Sequence, residues 1–105
     1  MPFEVEKSVR SSRDIEEAFV FIAENNLDRG VYFLVAIEDS LSLLAENPFM
    51  GHERPFKNSR LSGLRVWRVK GFHNYVLIYL VDEEAKELRL MRLVNSKRDF
   101  DKIEI

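Results

Sequence analysis

Basic side chains gather in one segment of this sequence that lacks acidic residues. Between residues 54 and 70 there are six lysines and arginines and no Asp or Glu. Such a cluster suits contact with a phosphate backbone or with an acidic protein segment. It is equally typical of a loop and strand whose charges are solvated, and the sequence leaves both interpretations open. The candidate binding residues are Arg54, Lys57, Arg60, Arg65, Arg92 and Arg98.

Two of these residues, Arg65 and Arg92, lie within runs of β-type sequence. Alternation along a strand predicts that Arg65 shares a face with Trp67, and that Arg92 shares one with Leu90 and Val94. An arginine among apolar neighbours can pack its stem at the rim of a sheet. It can also point from an open sheet face toward a carboxylate or phosphate. The two placements are equal alternatives at this point.

Groups suited to nucleophilic attack, proton transfer or metal binding are scarce. The chain has no cysteine, which excludes thiolate metal sites and cysteine nucleophiles. Its only imidazoles are His52 and His73, too few for a typical zinc site. Trp67, Tyr75 and Tyr79 suit either base stacking or a core, and their β-type runs favour the core. We therefore predict no catalytic residue, no metal and no cofactor.

Length and composition indicate the kind of fold that must position these residues. With 105 residues, 46% of them hydrophobic, the chain fits one globular domain over residues 1–105. No apolar run approaches the ~20 residues that span a bilayer, and the N-terminus is acidic where a signal peptide is basic. The expectation is a cytoplasmic protein with no membrane contact. Residues 1–50 hold ten acidic and four basic residues, a net charge of −6, whereas residues 51–105 hold eight and twelve, a net of +4.

Hydrophobic spacing predicts two helices joined by a short connection. The first begins at Ser11 or Ser12 and ends at residues 25–26, and the second begins at Asp28. The second helix stops at residues 47–48, because the residue before a proline is disfavoured in the helical conformation. Its apolar stripe is assigned to Val31, Leu34, Val35, Ile37 or Glu38, Leu41, Leu44 and Ala45.

Four β-type runs surround this helical hairpin in the sequence. Strands are predicted at residues 3–9, 64–69, 75–81 and 88–94, with a loop at 49–63 and a polar tail at 95–105. The third run is almost entirely apolar, which predicts a strand covered on both faces. Turns between the last three runs are too short for a parallel crossover. We therefore predict an α+β fold of order β-α-α-β-β-β, with a four-stranded antiparallel sheet packed against the N-terminal helical hairpin.

The order of elements and several short motifs resemble the ParE/RelE superfamily of toxins from type II toxin–antitoxin pairs. The resemblance covers nearly the whole chain and is closer to the ParE branch. The motifs are Phe19-x-x-Ile22-Ala23, Asn47-Pro48-x-x-Gly51, Leu64-Arg65, Tyr75-Val76-Leu77-Ile78-Tyr79, Arg92-Leu93-Val94 and Arg98-Asp99. One departure is the segment 95–97, Asn-Ser-Lys, which stands where ParE-like sequences usually place His-Gly or a similar pair.

The resemblance implies a ParE-like toxin that inhibits DNA gyrase by binding and is not an enzyme. It also implies a cognate antitoxin, whose complex with the toxin binds operator DNA through the antitoxin, and a role in plasmid stabilisation. The basic residues above would then contact the target or the antitoxin. Two alternatives stay open: a RelE-like ribosome-dependent mRNA endonuclease, and a degenerate toxin that acts only as a binding module. RelE-like nucleases carry a tyrosine or histidine near the C-terminus, whereas residues 95–105 contain neither, and His73 is the remaining candidate for that role.

Overall fold

A two-helix hairpin covers one face of a five-stranded sheet in the computed structural model of this chain. The structure describes residues 1–57, 59–97 and 103–105. The elements are β1 (Glu4–Lys7), α1 (Val9–Asn25), α2 (Leu27–Glu46), β2 (His52–Glu53), β3 (Arg65–Val69), β4 (Phe72–Asp82) and β5 (Glu87–Asn95). The predicted α+β class, the helical hairpin and the order of the longer strands are confirmed.

The sheet is mixed, so the prediction of a four-stranded antiparallel sheet is wrong. Its strand order is β1-β5-β4-β3-β2, with β1 parallel to β5 and every other pair antiparallel. Short turns join only β3, β4 and β5. Strand β1 is separated from the other strands by the whole helical hairpin, and a connection of that length permits parallel pairing. The fifth strand, β2, is two residues of the predicted loop paired with β3, too short to leave a periodic signal.

Both helices begin earlier than predicted because a polar residue further upstream supplies the cap. Ser8, rather than Ser11 or Ser12, caps α1, and its Oγ accepts a hydrogen bond from the Ser11 N–H at 3.0 Å. Asn26 caps α2 in place of Asp28. Each segment offers several side chains capable of capping, so composition alone does not select the first residue of the helix.

The main core lies between the hairpin and the sheet. Its fully buried members include Phe33, Ile37, Leu41, Leu44, Leu77, Tyr79, Leu88 and Leu90. The helices approach closely at Gly30, where an added Cβ would lie 2.8 Å from the Cβ of Ala23. Val31 and Val35, predicted to face the core, are 50% and 53% exposed. The buried stripe of α2 instead passes through Phe33, which rotates the apolar face of the helix relative to the prediction.

The opposite face of the sheet is covered as well, which confirms the prediction made from the apolar run at 75–81. A second cluster there comprises Phe56, Leu64, Val66, Val76, Ile78 and Val94, with Ile103 and Ile105 packed against it. The cover therefore comes from the segment between β2 and β3 and from the last residues of the chain. None of the helices in the described part of the chain is long and apolar enough to cross a membrane.

Candidate functional site

A basic hollow lies on the sheet face that is turned away from the helices. It encloses about 520 Å³. Its lining consists of His52, Arg54, Val66, Trp67, Arg68, Val76 and Ser96. None of these side chains is acidic, so two arginines and a histidine surround a floor that is largely apolar. We call this feature the basic hollow.

Strand pairing brings the basic groups together from segments that are separate in the sequence. His52 lies opposite Val66 in the β2–β3 pair, and Arg68 lies opposite Val76 in the β3–β4 pair. Val66 and Arg68 share one face of β3 because strand side chains alternate. The NH1 group of Arg68 donates a hydrogen bond to the carbonyl of His73 at 2.6 Å. This bond holds the Arg68 guanidinium at the rim of the hollow. The guanidinium carries further N–H donors besides the one that makes this bond.

The third basic group of the hollow, Arg54, belongs to the segment that covers the sheet. Its guanidinium carbon stands 4.7 Å from the centre of the Phe56 ring, within the range of a cation–π contact. Its backbone N–H donates to the carbonyl of Leu64 at 2.9 Å. Lys57 and Arg60 are exposed on the same segment. The basic loop predicted from the sequence therefore has one arginine fixed against the sheet and two exposed cations beyond it.

The Arg65 side chain lies on the helix side of the sheet and holds the segment between α2 and β2. Its NH1 group donates to the carbonyl of Gly51 at 2.5 Å and to that of Phe49 at 3.3 Å. Its guanidinium carbon lies 5.0 Å from the centre of the Phe49 ring, and its NH2 group lies 3.6 Å from a carboxylate oxygen of Glu53. Only 18% of the Arg65 side chain is exposed. Its hydrogen-bonding groups are thus directed at the protein itself.

Tyr79, which is buried, also holds the segment between α2 and β2. Its hydroxyl donates to the carbonyl of Pro48 at 2.8 Å and accepts from the N–H of Gly51 at 3.0 Å. Burial raises the pKa of Tyr79, and the Gly51 hydrogen bond and the nearby Arg65 charge oppose that rise. A Cβ at Gly51 would lie 2.5 Å from the tyrosine hydroxyl oxygen, so only glycine fits. The expectation that Tyr79 belongs to the core is confirmed.

The second strand arginine, Arg92, forms a buried ion pair with α1. Its Nε donates to Oδ2 of Asp14 at 2.7 Å, its NH2 to Oδ1 at 3.2 Å, and its NH1 to the carbonyl of Glu104 at 2.7 Å. The Arg92 and Asp14 side chains are 12% and 9% exposed. The prediction that Arg92 shares a face with both Leu90 and Val94 is wrong. A register shift just before Arg92 turns Leu90 toward the helices and Val94 toward the second cluster.

A second exposed surface lies on the hairpin and differs from the hollow in charge. Along the outer side of α1 a shallow depression is lined by Arg13, Glu16, Glu17, Val20, Phe21 and Glu24. Val20 and Phe21 are 47% and 63% exposed, and Leu27, Val31 and Val35 are exposed at successive turns of α2. We call this set the hairpin surface. Contiguous exposed apolar groups are typical of surfaces that bind another protein.

The structure separates the two histidines. His73 is exposed and is not among the residues that line the hollow, whereas His52 is. Sequence reasoning proposed His73 and missed both His52 and Arg68 as members of one site. In the described ranges, no three His, Asp or Glu side chains gather as a set of metal ligands. Arg98, also a candidate from the sequence, lies outside the described residues.

Comparison with protein families identifies the class to which this fold and these surfaces belong. The model of the family described as the ParE toxin of type II toxin–antitoxin system, parDE, matches residues 5–100. The chain therefore belongs to the ParE toxin family. No curated protein sequence matches it significantly.

Solved structures carry the same fold at low sequence identity. A chain of the chromosomal ParDE system from Pseudomonas aeruginosa aligns with a TM-score of 0.70 at 14% identity, covering 89% of this chain and 95% of that one. A chain of the RelBE2 toxin–antitoxin complex from Mycobacterium tuberculosis gives 0.63 at 20% identity, with coverages of 90% and 99%. The solution structure of the conserved hypothetical protein HP0894 from Helicobacter pylori gives 0.56 at 19%, with coverages of 90% and 96%. These similarities establish the fold.

Proposed function

We propose that this ParE-family toxin acts in the cytoplasm by binding and inhibiting DNA gyrase, without catalysing a reaction itself. Ribonucleases of the RelE type would need strand arginines to stabilise the charge that develops on the cleaved phosphate. Here the two strand arginines of the sequence motifs are both engaged within the protein. Arg65 holds the carbonyls of the α2–β2 segment, and Arg92 is paired with Asp14. This engagement is the observation that carries the proposal.

The direct test is a supercoiling assay with purified gyrase and relaxed plasmid. We expect the wild-type protein to inhibit supercoiling and to raise the amount of gyrase-cleaved DNA in proportion to its concentration. Lys86→Gln is a control variant, because Lys86 is exposed in the turn between β4 and β5 and lines neither the basic hollow nor the hairpin surface. Unchanged supercoiling at a large excess of folded wild-type protein would refute gyrase inhibition.

A second candidate function, mRNA cleavage on the ribosome, is favoured by one observation. His52 lies in the basic hollow with two arginines, and an imidazole beside cations is a suitable general acid or base for RNA cleavage. Primer extension on ribosome-bound message distinguishes the two activities. Codon-specific cuts that disappear in His52→Gln would assign the protein to the ribonucleases, and uncut message supports the gyrase proposal.

We also propose that a cognate antitoxin silences this toxin by covering the hairpin surface and reaching the basic segment. The similar chains from P. aeruginosa and M. tuberculosis come from toxin–antitoxin systems. The exposed apolar side chains of the hairpin offer a place for an amphipathic segment to bury its apolar face. Lys57 and Arg60 are exposed and suit an acidic stretch of the same partner, since complementary charges speed association.

Isothermal titration with the antitoxin encoded beside this protein tests the partner. The double variant Lys57→Glu/Arg60→Glu should weaken binding and flatten its dependence on salt, because salt screens exposed charges. Lys86→Glu reverses one charge in the turn between β4 and β5, outside both surfaces, and should leave both quantities nearly unchanged. An affinity indifferent to reversal at residues 57 and 60 would contradict the electrostatic contact.

A further inference from the structure

The basic hollow has no assigned ligand, and its composition selects for an anion. Two arginines and a histidine line it together with two valines, a tryptophan and a serine, and none of the lining residues that the structure describes is acidic. The sequence from residue 54 to residue 81 contains no Asp or Glu, so the surroundings contributed by that segment do not offset the charge. Guanidinium groups bind phosphate oxygens through paired N–H donors.

The aromatic side chains of the sheet show which part of a nucleic acid would meet the hollow. Proteins that bind single strands stack exposed aromatic rings on successive bases. Trp67 lines part of the hollow, but it is partly buried and packs with Tyr75 against the helix-side core, where Tyr79 is fully buried. Phe56, on the far face, is buried beneath the guanidinium of Arg54. The described rings near the hollow are therefore poorly placed to stack on bases, and the remaining contact is with the phosphate backbone of a duplex.

We propose that the basic hollow binds a backbone phosphate of duplex DNA through His52, Arg54 and Arg68. The choice of DNA rests on the proposed action on gyrase, which holds a DNA duplex while the toxin is bound. In this arrangement the toxin touches both the enzyme and its DNA. A contact of this kind would stabilise the trapped complex without reading a base sequence.

Arg68 gives the cleanest test, because its side chain is exposed and, among the described residues, its hydrogen bond is to the His73 carbonyl. Binding of a fluorescent 20-base-pair duplex is measured by anisotropy across a range of salt concentrations. Each phosphate contact contributes about −0.9 to the slope of log K against log salt. We expect Arg68→Gln and Arg54→Gln each to reduce the magnitude of the slope by about 1, and Arg68→Lys to retain most of it.

Two controls distinguish loss of the phosphate site from loss of folding and from a change in overall charge. Arg10→Gln removes the same charge from the start of α1 and should leave the slope unchanged. Arg54→Lys keeps a cation beside Phe56, and a circular dichroism melt of every variant verifies folding. An equal change of slope in Arg10→Gln and Arg68→Gln would show that only net charge matters and would overturn the site. Tighter binding to single-stranded RNA than to the duplex would also overturn it.

The supercoiling assay separates failure of this site from failure of the proposed function. We expect the folded double variant Arg54→Gln/Arg68→Gln to need at least several-fold more protein for half-maximal gyrase inhibition. If the wild type inhibits gyrase and the double variant inhibits equally, the DNA contact is refuted while gyrase inhibition stands. If the slopes change as expected but the wild type never inhibits gyrase, the phosphate site stands and the proposed target is wrong.

Discussion

Removal of the Asp14 carboxylate should destabilise the fold far more than loss of a typical surface charge. The carboxylate accepts two hydrogen bonds from Arg92 and a third from the Leu93 N–H, at 2.7, 3.2 and 3.1 Å. Both side chains of the ion pair are about nine-tenths buried. Asp14→Ala leaves the arginine charge partly buried, and among the described residues the Glu104 carbonyl remains as its acceptor. Breaking a buried pair in this way costs about 3–5 kcal/mol.

We take the lower end of that range, because the Glu104 carbonyl still accepts from Arg92. A loss of about 3 kcal/mol corresponds to a fall in Tm of roughly 12–24 °C for a domain of this size, at about 4–8 °C per kcal/mol. Urea unfolding followed by circular dichroism gives the free energy directly. A comparison variant is Lys7→Ala, which removes the exposed pair between Lys7 and Glu38. That pair should contribute less than about 1 kcal/mol.

A double variant tests whether burial of the charge is the cause. In Asp14→Leu/Arg92→Met both charges are replaced by apolar groups, and most of the lost stability should return. A cost of less than about 1 kcal/mol for Asp14→Ala would refute the reasoning, since the pair would then behave as a solvated one. No recovery in the double variant would point to the Leu93 N–H contact as the main contribution of Asp14.

Two further substitutions test the attachment of the α2–β2 segment and the contact between the helices. Because burial raises the pKa of Tyr79, its contribution to stability is complete below pH 10 and is lost as pH rises through the raised value. Tyr79→Phe should lower the unfolding free energy by about 1–3 kcal/mol at pH 7 in urea titrations. It should also reduce the further loss above pH 10, and an unchanged alkaline loss would exclude this tyrosine as its source. Gly30→Ala should cost about 1–3 kcal/mol in the same titrations, because the new methyl group would overlap Ala23. Ser42→Ala, exposed on α2, is its control, and equal effects of the two substitutions would contradict close helix packing at Gly30.

Local sequence patterns were sufficient to predict the helices and strands that have a hydrophobic periodicity of their own. The ends of the hairpin connection and of α2 follow from Asn25, Asn26 and Pro48, whose effects operate within a few residues. The error at Val31 and Val35 has a different origin. Apolar residues lie on several sides of α2, so spacing alone did not show which stripe faces the sheet.

Features created by pairing distant segments were not accessible in this way. The sequence showed the basic cluster, but its combination with His52 depends on β2, whose two residues carry no pattern. The extra residue before Arg92 turns each residue after it toward the opposite face of the sheet, because strand side chains alternate. Its pairing with Asp14 joins residues at opposite ends of the chain, and no local signal connects them. The sequence therefore offers Arg92 as a candidate binding residue, although its guanidinium is bound to Asp14.

The parallel pairing of β1 with β5 has a consequence for the order of events during synthesis. In the described part of the chain β5 is the strand with which β1 pairs, and the Ser8 Oγ at the start of α1 donates to the carbonyl of Met91. Ribosomes add about 5–20 residues each second, so the helical hairpin waits seconds for the strand that anchors its N-terminal end. Its apolar face is meanwhile open to other ligands, including an amphipathic segment of a partner that is already folded. Association could thus begin on a nascent chain, before the sheet that carries the basic hollow is complete.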